Sequence, residues 1–190
     1  MKTCKLILVL VGCGLWTAGV NAQTVVTNLY FLPPATKLET MEATVGNIVI
    51  KGRTEVGSVT AGPAVITVFC KEDIVGDSKE HGLLVSVKTS EPAEARVLVD
   101  YDELESLAHA LDYLSRIDWS VTSMGSFDAS YTTKAGLRVA SFSSRRSGKI
   151  EFALRTGQMT HGIVLAPEQL AQIRSLVEQA KRKLDDLRKA

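Results

Sequence analysis

The sequence predicts an α+β fold of tandem ββββα repeats, in which two antiparallel sheets carry two amphipathic helices and the C-terminal helix is the longer. Val97–Val99 followed by Asp102–Leu104 is matched 66 residues later by Ile163–Leu165 followed by Glu168–Leu170. Apolar residues alternate as in strands before this segment in both copies. After it, both copies continue with an apolar stripe at helical spacing. The repeat predicts architecture and carries no information about chemistry.

The first 22 residues have the pattern of an export signal. Two lysines precede an almost wholly apolar run, Leu6–Val20, and Ala22 supplies the small residue that signal peptidase accepts. We therefore expect residues 1–22 to be removed and the protein to be periplasmic or extracellular. The alternative is a lipid anchor on Cys13, because Leu10–Cys13 resembles a bacterial lipobox.

The chain after the signal divides into a leader, 23–36, and two ββββα units, 37–118 and 119–190, which we expect to form one compact domain. The charge of the two parts is opposite. Residues 23–118 hold 8 basic and 15 acidic side chains, whereas residues 119–190 hold 12 basic and 6 acidic ones. This polarity favours docking between the copies or between neighbouring molecules. Ordinary drift of surface charge is the alternative.

The composition limits how the exported chain can be stabilised. Without its first 22 residues it carries 20 basic and 21 acidic side chains, and Cys70 is the only thiol left. An internal disulfide is therefore excluded, and stability must come from a core in which we expect Cys70 to be buried and inert. No later run approaches the roughly 20 apolar residues of a membrane helix, so no transmembrane segment is predicted after the signal.

The first unit should begin with strands and end with a helix. Strand candidates, set by alternating apolar residues and by glycine or polar breaks, are 38–45, 47–56, 64–71, 83–89 and 95–99. Asp100 and Glu103 form a capping box. The stripe that follows marks one face of a helix ending near Asp118 and consists of Leu104, Leu107, Leu111 and Leu114.

The second unit repeats this order with a longer closing helix. Alternation begins at Phe127, strands 137–143 and 149–155 pair across a polar turn, and strand 162–165 leads into a helix from Pro167 to about Arg188. The last two turns of this helix consist mostly of polar residues but still contain Leu184 and Leu187 at helical spacing. We therefore predict self-association through an apolar seam formed by Val177, Leu184 and Leu187. The alternative is that these residues cover the edge of their own domain.

Motifs for catalysis are absent from the exported chain. It contains no nucleophile elbow, metalloprotease helix, phosphate-binding loop or paired cysteines, and we predict no catalytic residue, metal or cofactor. His81 lies in a polar stretch and should be solvated, and His109 flanks the helix stripe and should lie at the edge of the core. His161 precedes the last strand of the second copy. The acidic residues around Asp102 fit the positive end of a helix.

One basic patch in the second copy suggests a ligand. Its members flank or occupy the hairpin turn among small hydroxyl residues and are Arg138, Arg145, Arg146, Lys149 and Arg155. Guanidinium groups beside hydroxyls suit phosphate, sulfate or carboxylate groups, so we predict an anionic ligand here. The alternative is a charged hairpin that keeps a sheet edge soluble.

The segment Gly162–Ile173, with the sequence GIVLAPEQLAQI, resembles the closing segment of the eukaryotic positive-cofactor coactivators, and the tandem ββββα arrangement is similar to Whirly proteins. In both families a curved antiparallel sheet carries single-stranded DNA. The resemblance implies a fold and, as a function, single-stranded nucleic-acid binding. Three features depart from these families: the export signal, a net charge near −1, and a predicted outer strand face without aromatic residues between its arginines.

The sequence therefore predicts an exported, non-enzymatic interaction or ligand-binding module that associates with itself or with an envelope partner through its C-terminal helix. Two alternatives stay open. The first is a Whirly-like protein that binds single-stranded nucleic acid with the basic face of its second unit, although this charge balance makes nucleic acid an unfavoured partner. The second is an enzyme whose site is assembled from distant residues between the two units.

Overall fold

Two four-stranded antiparallel sheets form the body of the chain, and in each the strands follow one another in sequence order. The computed structural model describes residues 33–90, 94–145, 147–159 and 161–189. The prediction of an α+β fold with two such sheets and a long C-terminal helix is confirmed.

The first three strands of the first unit have 11 to 13 residues, whereas no described strand of the second unit has more than seven. The first unit consists of α1 (Lys37–Glu42), β1 (Val49–Ala61), β2 (Ala64–Val75), β3 (Ser78–Lys88), β4 (Ala95–Asp100) and α2 (Leu104–Arg116). The second consists of β5 (Asp128–Thr132), β6 (Arg138–Ser144), β7 (Lys149–Arg155), β8 (Ile163–Leu165) and α3 (Pro167–Lys189).

One hydrophobic core joins the inner faces of both sheets, and the two helices pack against each other within it. Each helix also reaches the sheet of the other unit: α3 packs on β1 and β2, and α2 packs on β5 and β6. The repeat-related residues Leu104 and Leu170 are both fully buried in this core. Cys70 is buried there as well, with its thiol directed at the carbonyl oxygen of Ala180.

The prediction of a strand over residues 38–45 is wrong, because this segment contains helix α1. The Thr36 side chain accepts a hydrogen bond from the Glu39 backbone N–H, and the Glu39 carboxylate accepts one from the Thr36 backbone N–H. This reciprocal capping box satisfies backbone N–H groups at the start of the helix that have no partner within the helix, and so stabilises the helical turn. The alternation of apolar residues around Leu38 indicates a strand and gives no sign of this cap.

The polar stretch from Lys71 to Gly82, predicted to be a break between strands, is a hairpin. Strands β2 and β3 continue through it and turn at Gly76, whose φ of 56° is in the left-handed region that favours glycine. His81, predicted to be solvated, is buried in β3 opposite Glu72, with 3.1 Å between Nε2 and Oε1. The polar residues of this stretch therefore belong to sheet faces.

Several predictions fall outside the described residues, namely the export signal, the lipobox at Cys13, the leader up to Leu32, and Arg146. The part of the chain that begins at Pro33 forms one compact unit. Within the described ranges, no helix combines the length and the hydropathy needed to cross a lipid bilayer.

Candidate functional site

Helix α1 crosses the outer face of the first sheet, the face turned away from the main core. At its start, the Asp100 carboxylate at the end of β4 accepts hydrogen bonds from the backbone N–H of Lys37 (2.9 Å) and Leu38 (3.3 Å). Leu38 is fully buried against Leu84 and Leu98, which form a small second cluster on this face. The N-terminal end of α1 is therefore fixed over β4 and β3.

At its other end, α1 reaches β2 and β1 through a chain of charges. The Glu42 carboxylate contacts Lys71 Nζ at 2.8 Å and Lys51 Nζ at 2.9 Å, and Lys71 Nζ also contacts Asp73 Oδ1 at 2.6 Å. The Lys71 side chain is only 6% exposed, and Asp73 is fully buried. An ammonium group held in this way is positioned before any ligand arrives, and its position depends on both carboxylates.

The carboxyl groups of this charged chain have opposite pKa shifts. Burial raises the pKa of Asp73, although Lys71 lowers it in part, and Asp73 Oδ2 has no hydrogen-bond partner among the described residues. Burial alone would also raise the pKa of Glu42, but the hydrogen bonds and charges of Lys71 and Lys51 together bring it below its usual value. Glu42 is thus the carboxylate that these two lysines stabilise in its charged form.

Beside α1 lies a groove of about 540 Å³, which we call the α1 groove. The described residues that line it are Glu39, Glu42, Lys51, Gly52, Arg53, Lys71, Leu84, Arg96 and Leu98. Four of these side chains are cationic, two are carboxylates, and two leucines supply apolar contact. The lining therefore carries an excess of positive charge over an apolar patch.

The two arginines of the α1 groove differ in how they are engaged. Arg96 is paired with Glu94, at 2.6 Å between Nη2 and Oε2. Arg53 forms no ion pair with the residues that the structure describes, and its guanidinium lies over the Phe69 ring, 5.8 Å from the centroid. Arg53 is therefore oriented by the ring while its N–H donors stay open to a ligand.

The predicted basic patch of the second unit is split by the structure. Arg138 and Arg155 are a cross-strand pair, and Arg138 reaches Asp128 at 3.5 Å. Lys149 and Arg145 lie at the opposite end of the β6–β7 hairpin, six residues or roughly 20 Å along the strand. The described members form two exposed pairs, so they do not converge on one small ligand.

The residues predicted for self-association are also separated. Val177 and Leu184 are buried in the core of their own chain, because α3 packs there against α2 and the first sheet. Leu187 is 56% exposed. Only Leu187 therefore remains available to a second molecule in the described structure.

The acidic residues at the start of α2 lie close enough to hold a metal ion, and they are Asp100, Asp102 and Glu103. Their oxygens already accept protein donors. Lys134 Nζ lies 3.0 Å from Asp102, and the Lys134 backbone N–H donates to Glu103 at 2.8 Å. Hydrogen bonds from Lys134 and Lys37 lower the pKa of Asp102, although burial opposes them. This cluster joins α1, the first sheet and the β5–β6 turn.

The sequence predicts none of the α1 groove residues as site residues. Phe69, Lys71 and Asp73 do alternate at the strand period, which would place them on one face of β2. The predicted strand ends at Lys71, so the pattern that continues to Asp73 does not contribute to the prediction. The approach of Glu42 depends on α1, which has no apolar periodicity of its own.

No known family model matches the chain, and a search of the curated proteins found no significant relative. The class of protein is therefore described from the fold and the α1 groove. They define a two-sheet α+β protein with a helix-walled basic groove on one outer sheet face.

Proposed function

We propose that this protein is an exported, non-enzymatic ligand-binding module that binds a small anion in the α1 groove. The observation that carries the proposal is that carboxylates already pair with Lys51, Lys71 and Arg96, whereas Arg53 lines the same groove and pairs with no carboxylate among the described residues. Arg53 supplies the N–H donors that the described structure leaves open. The described lining combines cations with leucines and contains no serine, cysteine or histidine, a composition that suits binding better than covalent chemistry.

Replacing Arg53 by alanine should weaken anion binding at least about tenfold, because hydrogen bonds to charged groups contribute roughly 1.5–3 kcal/mol. The measurement is isothermal titration calorimetry at low ionic strength with sodium acetate, sodium octanoate and sodium phosphate as probes. Because the side chain of Arg53 is exposed, the free energy of unfolding should change by no more than about 0.5 kcal/mol.

Arg138→Ala is the matched control, because Arg138 is also an exposed strand arginine but lies on the second sheet. We expect it to bind all probes as the unaltered protein does. If no anion binds at low salt, or if both variants lose affinity equally, the α1 groove is not the site. Tight binding of single-stranded DNA that Arg138→Ala abolishes would instead favour the nucleic-acid alternative.

Self-association through the C-terminal helix remains a second proposal, now limited to the exposed turn around Leu187. Leu187→Ser should leave the free energy of unfolding within about 0.5 kcal/mol of its original value and weaken any dimer seen by sedimentation velocity over a range of concentrations. Truncation after Ala180 would not test this, because it also removes the fully buried Leu184. Unchanged sedimentation of Leu187→Ser would contradict the proposal.

A further inference from the structure

The two leucines that line the α1 groove belong to an apolar row on the sheet beneath α1. Phe69, Leu84 and Leu98 pair across β2, β3 and β4, so the three side chains lie side by side on the outer face. At about 4.8 Å between strands, this row is roughly 10 Å long. Leu38 of α1 covers most of Leu84 and Leu98, and the edges that stay exposed, less than a tenth of each residue, line the groove.

Most of the cationic side chains around this row have a carboxylate partner, but one does not. Glu42 occupies Lys51 and Lys71, and Glu94 occupies Arg96. The β1 residue in register with the row is Glu55, and Arg53, two positions before it, reaches over the Phe69 ring and is the groove cation without an ion pair among the described residues. The described groove therefore offers one anion position beside one apolar track.

We propose that the ligand is an amphipathic monoanion, with its carboxylate on Arg53 and its hydrocarbon chain along the edges of Leu84 and Leu98 that α1 leaves exposed. This inference rests on the proposed function and specifies the ligand class for the same groove. The volume of about 540 Å³ is within the range of small-molecule sites. At about 1.3 Å per carbon, from carbon–carbon bonds of about 1.5 Å, an eight-carbon acid extends about 9 Å and matches the row.

The ligand is a free amphiphile in solution. The apolar row is recessed beside α1, and the wall above it carries Glu39 and Glu42. A bilayer surface brought to this face would meet those two carboxylates before its acyl chains reached the leucines. A single chain that has left a membrane or a micelle can enter the groove from its open side.

The test is a chain-length series of sodium n-alkyl carboxylates from acetate to decanoate, measured by calorimetry below their critical micelle concentrations. We expect the affinity to rise by up to about fourfold per methylene and to level off near eight carbons, where the row ends. Octanamide, which lacks the charge, should bind at least about tenfold more weakly than octanoate. Arg53→Gln should reduce octanoate binding to the level of octanamide.

The outcomes separate this inference from the proposed function. If acetate and octanoate bind equally and Arg53→Ala weakens both, the α1 groove is an anion site but the amphipathic ligand is wrong. If Arg53→Gln leaves octanoate binding unchanged, the pose is wrong. Co-sedimentation with phosphatidylglycerol vesicles that depends on Arg53 would overturn the free amphiphile in favour of a membrane surface.

Discussion

Replacing Lys71 by methionine should lower the free energy of unfolding by about 3 kcal/mol, because the change leaves the fully buried carboxyl of Asp73 without its cation. Asp73 already has one oxygen without a hydrogen-bond partner in the described structure, so no second donor stands ready to replace the ammonium. Glu42 loses its contact with the floor of the groove at the same time. The measurement is urea unfolding followed by circular dichroism at pH 7.

Two further variants assign that loss to the buried pair. Lys71→Met combined with Asp73→Asn removes both charges, so the double variant should recover at least about 1 kcal/mol relative to Lys71→Met alone. Lys51→Met removes the other lysine that contacts Glu42, but its side chain is about half exposed, and we expect a change within about 0.5 kcal/mol. A loss for Lys71→Met as small as that for Lys51→Met would contradict the argument.

The main elements could be predicted because their burial pattern is periodic. In the strand Ile163–Leu165, the two end residues are buried and Val164 between them is exposed, and the stripe from Leu104 to Leu114 marks one face of α2. Burial of both Leu104 and Leu170 in the common core also follows from the repeat. These elements are specified by the apolar side chains that each one contributes to the common core.

The α1 groove could not be predicted because its residues come from separate elements, and the local sequence pattern of those elements indicates something else: a strand at α1, and a turn at Lys71 and Asp73. Helix α1 is held by its capping box and by hydrogen bonds to Asp100, a residue 63 positions beyond Lys37. Lys71 and Asp73 are charged residues in a buried strand, and the mutual pairing that allows their burial is a tertiary contact. Sequence pattern assigns such polar residues to turns.

The described residues of the basic patch lie apart for a related reason. Arg138 and Lys149 are eleven residues apart in sequence, which suggested proximity across a hairpin. Pairing of Ser144 with Lys149 and of Arg138 with Arg155 places them at opposite ends of the ladder. Sequence distance around a hairpin indicates which strands pair, but the register decides which side chains meet.

Replacing Gly82 by alanine should lower the free energy of unfolding by about 3 kcal/mol, because β3 lies too close to both β4 and α1 at this point for a methyl group. A β-carbon on Gly82 would overlap the carbonyl oxygen of Val99 and lie 2.7 Å from Leu38 Cδ1. Gly82 does not have a positive φ, so the cost is steric. The backbone of β4 cannot yield without losing its pairing with β3, and Leu38 cannot yield without lifting α1.

Gly52→Ala is the matched control, since Gly52 also lies in a strand of the first sheet and a β-carbon there meets nothing closer than 3.7 Å. We expect this variant to gain about 0.5 kcal/mol from the reduced entropy of the unfolded chain. Hydrogen exchange adds a local readout. The amides of Thr40 and Ala43, bonded within α1, should exchange faster in Gly82→Ala than in Gly52→Ala because Leu38 anchors the helix. Equal stability of the two variants would contradict the clash with the Val99 carbonyl oxygen. Equal exchange would mean that Leu38 does not fix α1 over β3, and the wall of the groove would then lack its anchor.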